Sequence, residues 1–421
     1  MTSYQEAIEK ILECIGATEV VEQSLVTCLH QVAAEDVFSA FNLPQTDTAG
    51  PDGYAVKSSD IAAADRDNPV ALEIIDTVQA GSLPKKEVRQ GTAVRIMTGS
   101  IMPEGADCVV RFEDTDEPGD KSGPNPANPK QVRIYVSAAQ GFGVRLAGSD
   151  SSRGELLVAK GTAIGPGQIA ALAAHGMSCV KVHRRPVVAI LSTGNELIRA
   201  GRPLAPGKTY DSNTAALVAL IQHFGGAPKV IGIARDTLRS VEEKIRKAMT
   251  ADAVITSGGA SRGDYDLIRL ALGRIGRQVF SRINMGPGAS VAFGLIDTPA
   301  GDGVNGSIPL FALAGPPSGC LVNFETLVRP ALLKMMGYAD VRHPEVEAEA
   351  LDDSPSARRM AFARWSTLQK IDGRYRVRLD GAMGSFPSIA ASNALTIIPE
   401  GFSYRAGETI PVLPLDWRRE G

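Results

Sequence analysis

The chain lacks the spacings that would make a zinc site. Its five histidines form no HExxH or H-x3-H pattern, and Cys14, Cys28, Cys108, Cys179 and Cys320 form no CxxC. An odd, scattered set of five cysteines is not a disulfide framework either, so buried reduced thiols of a cytoplasmic protein are expected. No run of about 18 uncharged apolar residues occurs, which leaves no membrane span. The first residues, Met1-Thr-Ser-Tyr-Gln-Glu-Ala-Ile-Glu-Lys10, begin an amphipathic helix rather than the apolar core of a signal peptide. A net charge of −3 gives no broad nucleic-acid footprint. No Walker A motif is present, and Gly286-Pro-Gly-Ala-Ser290 lacks the third Rossmann glycine, so a dinucleotide reading fails. Cys320 has no base beside it in sequence to make it a nucleophile, and His175 and His183 are expected to be structural. The stretch from Glu117 to Pro129 has nothing to pack with and reads as a mobile hairpin tip.

What is present is a long, ordinary globular composition, 44% apolar and 22% charged over 421 residues. That length exceeds one core, and roughly two to four domains are expected. Residues 3–35 read as helical: Tyr4, Ala7, Ile8, Ile11 and Leu12 form one stripe, and a second helix is expected from Val21. From Leu43 the pattern turns to short β-like runs, Gly53–Val56, Ala71–Ile75, Ala93–Met97, Cys108–Phe112 and Gln131–Val136, punctuated by Gly, Pro and Asp. Residues 165–178 read as helical again. Strand and helix then alternate through 186–337. The strands are Pro186–Ser192, Lys229–Ala234, Ala253–Thr256 and Pro309–Leu313. The helices follow Asp211, Asp236-Thr237, Asp264 and Gly319. This alternation predicts an open α/β sheet with right-handed crossovers. After Tyr338 the runs are β again, which predicts a small C-terminal β domain.

In an open α/β sheet, ligands sit at the carboxyl ends of the strands. Two motifs fall there. Ser257-Gly258-Gly259 follows a short apolar strand, and Asp264 and Asp266 open the next helix. Bare N–H groups at a helix start bind anions, and the glycines permit close backbone approach. Asp264 and Asp266 can hold a divalent cation, so this loop offers both halves of a Mg2+–phosphate site. The second motif is Ser192-Thr193-Gly194-Asn195-Glu196. It is either a turn with a solvated Glu196 or a loop that aims this carboxylate at a ligand. Asp211-Ser-Asn213 reads as a helix N-cap at the same sheet end. Taken alone, Asp52-Gly53 is a hairpin turn.

Several motifs together resemble the molybdopterin molybdenumtransferase family, known as MoeA in bacteria and as the gephyrin E domain in animals. They are Pro51-Asp-Gly-Tyr-Ala-Val56, Arg95-Ile-Met-Thr-Gly-Ser100 with Pro103-Glu-Gly105, Val144-Arg-Leu-Ala-Gly-Ser-Asp150, Leu191-Ser-Thr-Gly-Asn-Glu-Leu197, Tyr210-Asp-Ser-Asn213, Ser257-Gly-Gly-Ala-Ser-Arg-Gly263 and Ser392-Asn-Ala-Leu395. The resemblance covers nearly the whole chain. It implies a multidomain α/β fold. Residues 1–42 with 137–182 would form an N-terminal helical linking domain, and 43–136 a β-rich domain. Residues 183–338 would form the MogA-like molybdopterin-binding domain, and 339–421 a C-terminal β-barrel. It implies a homodimeric cytoplasmic transferase of molybdenum cofactor biosynthesis. That enzyme takes adenylylated molybdopterin and molybdate, releases AMP with the help of Mg2+, and leaves molybdenum on the dithiolene. The adenylyltransferase and recipient molybdoenzymes are the implied protein partners, with no nucleic acid and no membrane.

Carried over by position, the resemblance makes Asp52, Thr98, Glu196 and Asp266 catalytic, with Asp264 and Asp266 on the metal. Ser192, Thr193, Gly194, Asp211, Ser257, Gly258, Gly259, Ser261, Gly288, Pro317 and Arg364 become substrate-binding. Asp52 and Thr98 would reach the site from the dimer partner. Three segments depart from the family. Gly286-Pro-Gly-Ala-Ser290 replaces a loop that normally carries lysine, Leu313-Ala-Gly-Pro-Pro317 replaces Leu-Pro-Gly-Asn-Pro, and Gly381-Ala-Met383 replaces Gln-x-Ser. Without those lysines, Arg364 is the cation left for the oxyanion. The alternatives are a degenerate paralogue that binds molybdopterin as chaperone or regulator, or an enzyme with altered oxyanion choice, such as tungstate.

Overall fold

The computed structural model describes residues 2–117, 130–258, 267–298, 306–379 and 384–416. Gly259, Ser261, Arg262, Asp264, Asp266 and the Gly381–Met383 segment lie outside the described residues, as does most of the 117–129 stretch. Two compact units are formed. One comprises 1–35, 160–169 and 178–421; the other comprises 36–159 and 170–177.

The larger unit is built on a six-stranded sheet of β1 (Val187–Thr193), β2 (Ala227–Ala234), β3 (Ala253–Ser257), β4 (Gly276–Phe280), β5 (Ala292–Asp297) and β6 (Ser307–Leu313). Their order is β2-β1-β3-β6-β5-β4. β1 runs parallel to both β2 and β3, and β3 parallel to β6. All of β1 except Val187 is buried, as its uninterrupted apolar run requires of a strand covered on both faces. β4 and β5 complete the edge antiparallel. The sequence reading did not find this pair, because each strand carries a glycine that reads as a breaker. Here the glycines permit contact. A Cβ on Gly276 would stand 2.0 Å from the Leu295 carbonyl oxygen, and one on Gly294 would stand 2.3 Å from a Leu272 methyl.

Helices α1 (Ser212–His223), α2 (Leu238–Ala248) and α3 (Leu267–Ile275) connect these strands. Asp211 caps α1, accepting from the Thr214 N–H at 3.0 Å. Thr237, not Asp236, caps α2, accepting from the Ser240 N–H. The chain leaves β1 for β2 on one side, then crosses to β3 on the other. That reversal opens a crevice between the carboxyl ends of β1 and β3.

The residues after Tyr338 close a five-strand ring. Ala361–Ile371, Arg374–Leu379, Val346–Ala350, Thr409–Pro414 and Ala394–Ile398 pair in that order, and Ala394–Ile398 meets Ala361–Ile371 again to shut the barrel. Asp372 and Gly373 turn its hairpin with φ of 49° and 78°, the positive pair that Asp-Gly favours.

A hydrophobic core runs from the N-terminal helix Tyr4–Cys14 through the sheet into the barrel, joining Ile11, Leu217, Phe311, Phe324, Trp365 and Leu413. Val20–Ser24 is a strand, not the expected second helix. Its β-branched Val20 and Val21 pair antiparallel with His183 and Val182. His183 is structural, its Nδ1 lying 2.8 Å from the Thr18 carbonyl oxygen.

The smaller unit holds a five-stranded sheet of Cys108–Arg111, Gly53–Val56, Thr92–Ile96, Val70–Val78 and Gln131–Ile134. Tyr54, Val56, Leu72 and Val110 fill one cluster, and Ala55, Val94, Ile96 and Val109 another, following the two-residue alternation of a sheet. Glu117 contradicts the expectation that its stretch packs with nothing. It accepts from Tyr54 Oη at 2.6 Å and from the Arg95 guanidinium, with 15% of its side chain exposed. His175 is structural, bonded to Ser151 Oγ and near the Ala171 carbonyl, each at 2.9 Å. Among the described residues no helix is long and apolar enough to cross a membrane.

Candidate active site

The crevice between β1 and β3 is a cavity of about 980 Å³. β1 supplies Thr193, with Gly194 and Glu196 just beyond. β3 supplies Ser257 and Gly258, and the α1 start supplies Asp211, Ser212 and Asn213. The segment after β6 supplies Ala314 to Pro317. Thus Thr193, Gly194, Glu196, Asp211, Ser257, Gly258 and Pro317, all read from sequence, border one space.

Local geometry shows why small residues stand here. Gly258 has φ of +86°, and a Cβ on it would meet the Thr193 carbonyl oxygen at 2.9 Å, so only glycine lets β1 and β3 end side by side. A Cβ on Gly194 would lie 2.6 Å from Glu196 Oε1, because that carboxylate folds back over the bare Cα. Asn213 ties two walls together: its Nδ2 donates to Ser257 Oγ at 2.6 Å and to the Gly315 carbonyl at 2.8 Å. The Ser257 hydroxyl also hydrogen-bonds the Cys320 thiol beneath it. Asn213 Oδ1 and Thr193 Oγ1 are buried and make no hydrogen bond within the described protein. Both residues line the cavity.

Among the described residues, three carboxylates border this space: Glu196, Asp211 and Asp236. Sequence reading took Asp236 only as a helix cap. Its Oδ2 instead accepts from the Asn195 N–H at 2.9 Å, holding the loop that carries Glu196. Asp236 follows β2, and the pairing of β2 beside β1 is what brings it to the same sheet end. Tyr210, Ser290 and Phe386 also border the cavity and were not chosen.

The remaining candidates lie elsewhere. Ser192 is fully buried, its Oγ 2.8 Å from Thr214 Oγ1, beneath the Asp211 cap. Gly288, with φ of +103°, packs on Asn323, where a Cβ would stand 2.5 Å from Nδ2. Arg364 is 7% exposed and lines a neighbouring cavity of about 230 Å³ with Ser318, Trp365 and Gly384. Pro316 and Pro317 border both cavities. Gly286 is buried in a strand against Ala361 and Phe362, and a Cβ there meets Met360 Sδ at 3.3 Å, so a lysine would press on the barrel. Asp52 and Thr98 belong to the smaller unit and hold each other: Asp52 Oδ1 accepts from the Thr98 N–H at 2.8 Å and from its hydroxyl at 2.9 Å. Cys320 lies under the floor, fully buried, and burial pushes its thiol up to about 12, which rules out a nucleophile.

Residues 2–176 match the model for the MoeA N-terminal region (domain I and II), and residues 189–334 match that for a probable molybdopterin binding domain. A molybdopterin molybdenumtransferase of Nostoc sp. is 34% identical over 94% of this chain and 89% of its own length. One from Bacillus subtilis is 33% identical over 97% and 93%. The crystal structure of the molybdopterin biosynthesis MoeA protein from Pyrococcus horikosii superposes with a TM-score of 0.81 at 32% identity, covering 99% of both chains.

Proposed function

Because the chain belongs to the molybdopterin molybdenumtransferase family, we propose that its crevice binds adenylylated molybdopterin and molybdate, cleaves the phosphoanhydride and releases AMP as molybdenum passes to the dithiolene. The chain is an enzyme of molybdenum cofactor biosynthesis; the relatives' names do not favour a binding-only paralogue. The observation that carries the reading is the convergence of Glu196, Asp211, Ser257 and Gly258 on one cavity at the reversal of strand order. Gly258 ends β3 without a side chain, which leaves room for phosphate against the wall that Thr193, Asn213 and Ser257 form.

Three carboxylates facing a polyphosphate repel it unless a cation stands between them. Their hard oxygen donors fit Mg2+, which takes one or two carboxylates and completes its shell with phosphate and water. Glu196 and Asp211 would hold it, together with Asp264 and Asp266. Bound there, Mg2+ would neutralise charge developing on the cleaved anhydride. The oxyanion is placed beside Arg364, whose cavity adjoins the main one at Pro316 and Pro317. Asp52 and Thr98 are assigned to a partner copy of the chain in a cytoplasmic homodimer.

The test is AMP release from adenylylated molybdopterin with Mg2+, with and without molybdate. Molybdate-dependent release is expected; tight binding without release would overturn the enzymatic reading. Glu196→Gln should lower the rate tenfold or more, about 1.4 kcal/mol. Glu196 is exposed, so the melting temperature should hold.

A further inference from the structure

Among the described residues, two aromatic rings border the cavity and remain largely uncovered. Tyr210, from the short strand Thr209–Tyr210, is 41% exposed, and Phe386, which opens the barrel helix Phe386–Ala391, is 62% exposed. Both line the same 980 Å³ space. The Tyr210 ring is anchored from behind, and the Phe386 backbone is fixed at a helix start. The Tyr210 hydroxyl donates to the Arg202 carbonyl oxygen at 2.9 Å, which fixes the far end of the ring. The flanking Thr209 and Asp211 N–H groups donate to the Glu196 and Ile198 carbonyls, each at 2.9 Å. Phe386 sits between Ser385, the N-cap that accepts from the Ser388 N–H, and Pro387, whose ring fixes the next φ.

Thr193, Asn213, Ser257, Gly194 and Gly258 suit phosphate and hydroxyl groups, and Leu197, Pro316 and Pro317 add aliphatic lining. Neither set carries an aromatic face. An anchored, exposed aromatic face gains free energy when a planar ring covers it, with little rotamer entropy to lose. Fused nitrogen heterocycles stack on such faces whatever their edge substituents.

We propose that Tyr210 and Phe386 form the ring-binding subsite of this cavity, taking a flat fused nitrogen heterocycle while the Ser257–Gly258 end takes the phosphates. The proposal rests on the nucleotide reading above and deepens it. Adenylylated molybdopterin carries such a ring at either end, an adenine and a pterin, and the stacking chemistry is common to both. The two side chains are positioning residues, since they set where the anhydride falls rather than touching it.

Isothermal titration of the full chain with Mg2+ tests this, using AMP, 6-hydroxymethylpterin and inorganic pyrophosphate as probes. Tyr210→Ala and Phe386→Ala should each weaken AMP or the pterin by about tenfold, roughly 1.4 kcal/mol. Pyrophosphate should change by less than about twofold. Tyr210→Phe and Phe386→Trp keep a ring and should restore binding, which a merely structural role would not predict. The probe that loses affinity identifies the ring. Unchanged affinity for both ring probes overturns the subsite while leaving the phosphate reading standing. Equal losses for pyrophosphate overturn it too, because the cavity itself would then have changed. A wild-type chain that binds none of the three probes removes the nucleotide reading and the subsite together.

Discussion

At the scale of single residues, burial decides which reactive groups act. All five cysteines are free thiols: Cys28, Cys108 and Cys320 are buried, Cys14 and Cys179 half-buried. Burial pushes the Cys108 and Cys320 thiols up to about 12. At pH 8, on the order of one such thiol in ten thousand is ionised. Iodoacetamide at that pH should therefore label Cys14 and Cys179 and spare the other three, as read by peptide mass spectrometry. The linkage has a definite sign. Folding favours the protonated thiols, so their contribution is full below about pH 9 and fades as pH rises toward 12. The urea midpoint should fall across that window, and Cys108→Ala should flatten the fall. A midpoint independent of pH would show that these thiols titrate normally. The sequence already argued against Cys320 as a nucleophile, but its place under the floor was legible only in three dimensions. Asp236 was illegible for a different reason: an Asp before a Thr-capped helix has an ordinary role to fill, and only the strand order puts it at the site.

At the scale of elements, the cavity depends on ties between segments remote in sequence. Asn323, fully buried in the helix Pro317–Asn323, accepts from the Ala314 N–H at 3.2 Å and donates to the Gly288 carbonyl at 3.0 Å. It binds the end of β6 to the loop from Gly286 to Ser290. Asn323→Leu would leave the buried Ala314 N–H unsatisfied and free the half-buried Gly288 carbonyl, costing about 1–3 kcal/mol. Denaturant unfolding should report that loss, and affinity for pyrophosphate should fall as the 314–317 wall moves. Unchanged stability would mean that water replaces the amide. Elements with clean apolar runs, such as β1, β3 and β6, were legible from sequence. β4 and β5 were not, because glycine marks a chain break in one setting and close contact in another. Val20–Ser24 was misread since five residues are too few to separate the two periodicities.

At the scale of the whole molecule, the α/β sheet and the barrel share one core: Trp365, Leu395 and Leu413 cluster with Leu321, Phe324 and Leu327. Trp365 Nε1 also donates to Ser318 Oγ at 2.8 Å. The larger unit should melt in a single calorimetric transition, and removal of 339–421 should leave the remainder without a cooperative one; a well-folded truncated chain would show the barrel to be an appendage. The sequence by itself determined the alternation of strand and helix, the β character of both flanks, and the small and acidic residues that end the strands. Those features are local, since side-chain period and bare glycine backbone are written in a few adjacent positions. Only the tertiary structure decided that β1 and β3 end side by side, that Asp236 and Ser290 join them, and that the barrel brings Phe386 to the rim. Such neighbourhoods come from strand order and long-range packing, which no short stretch of chain encodes.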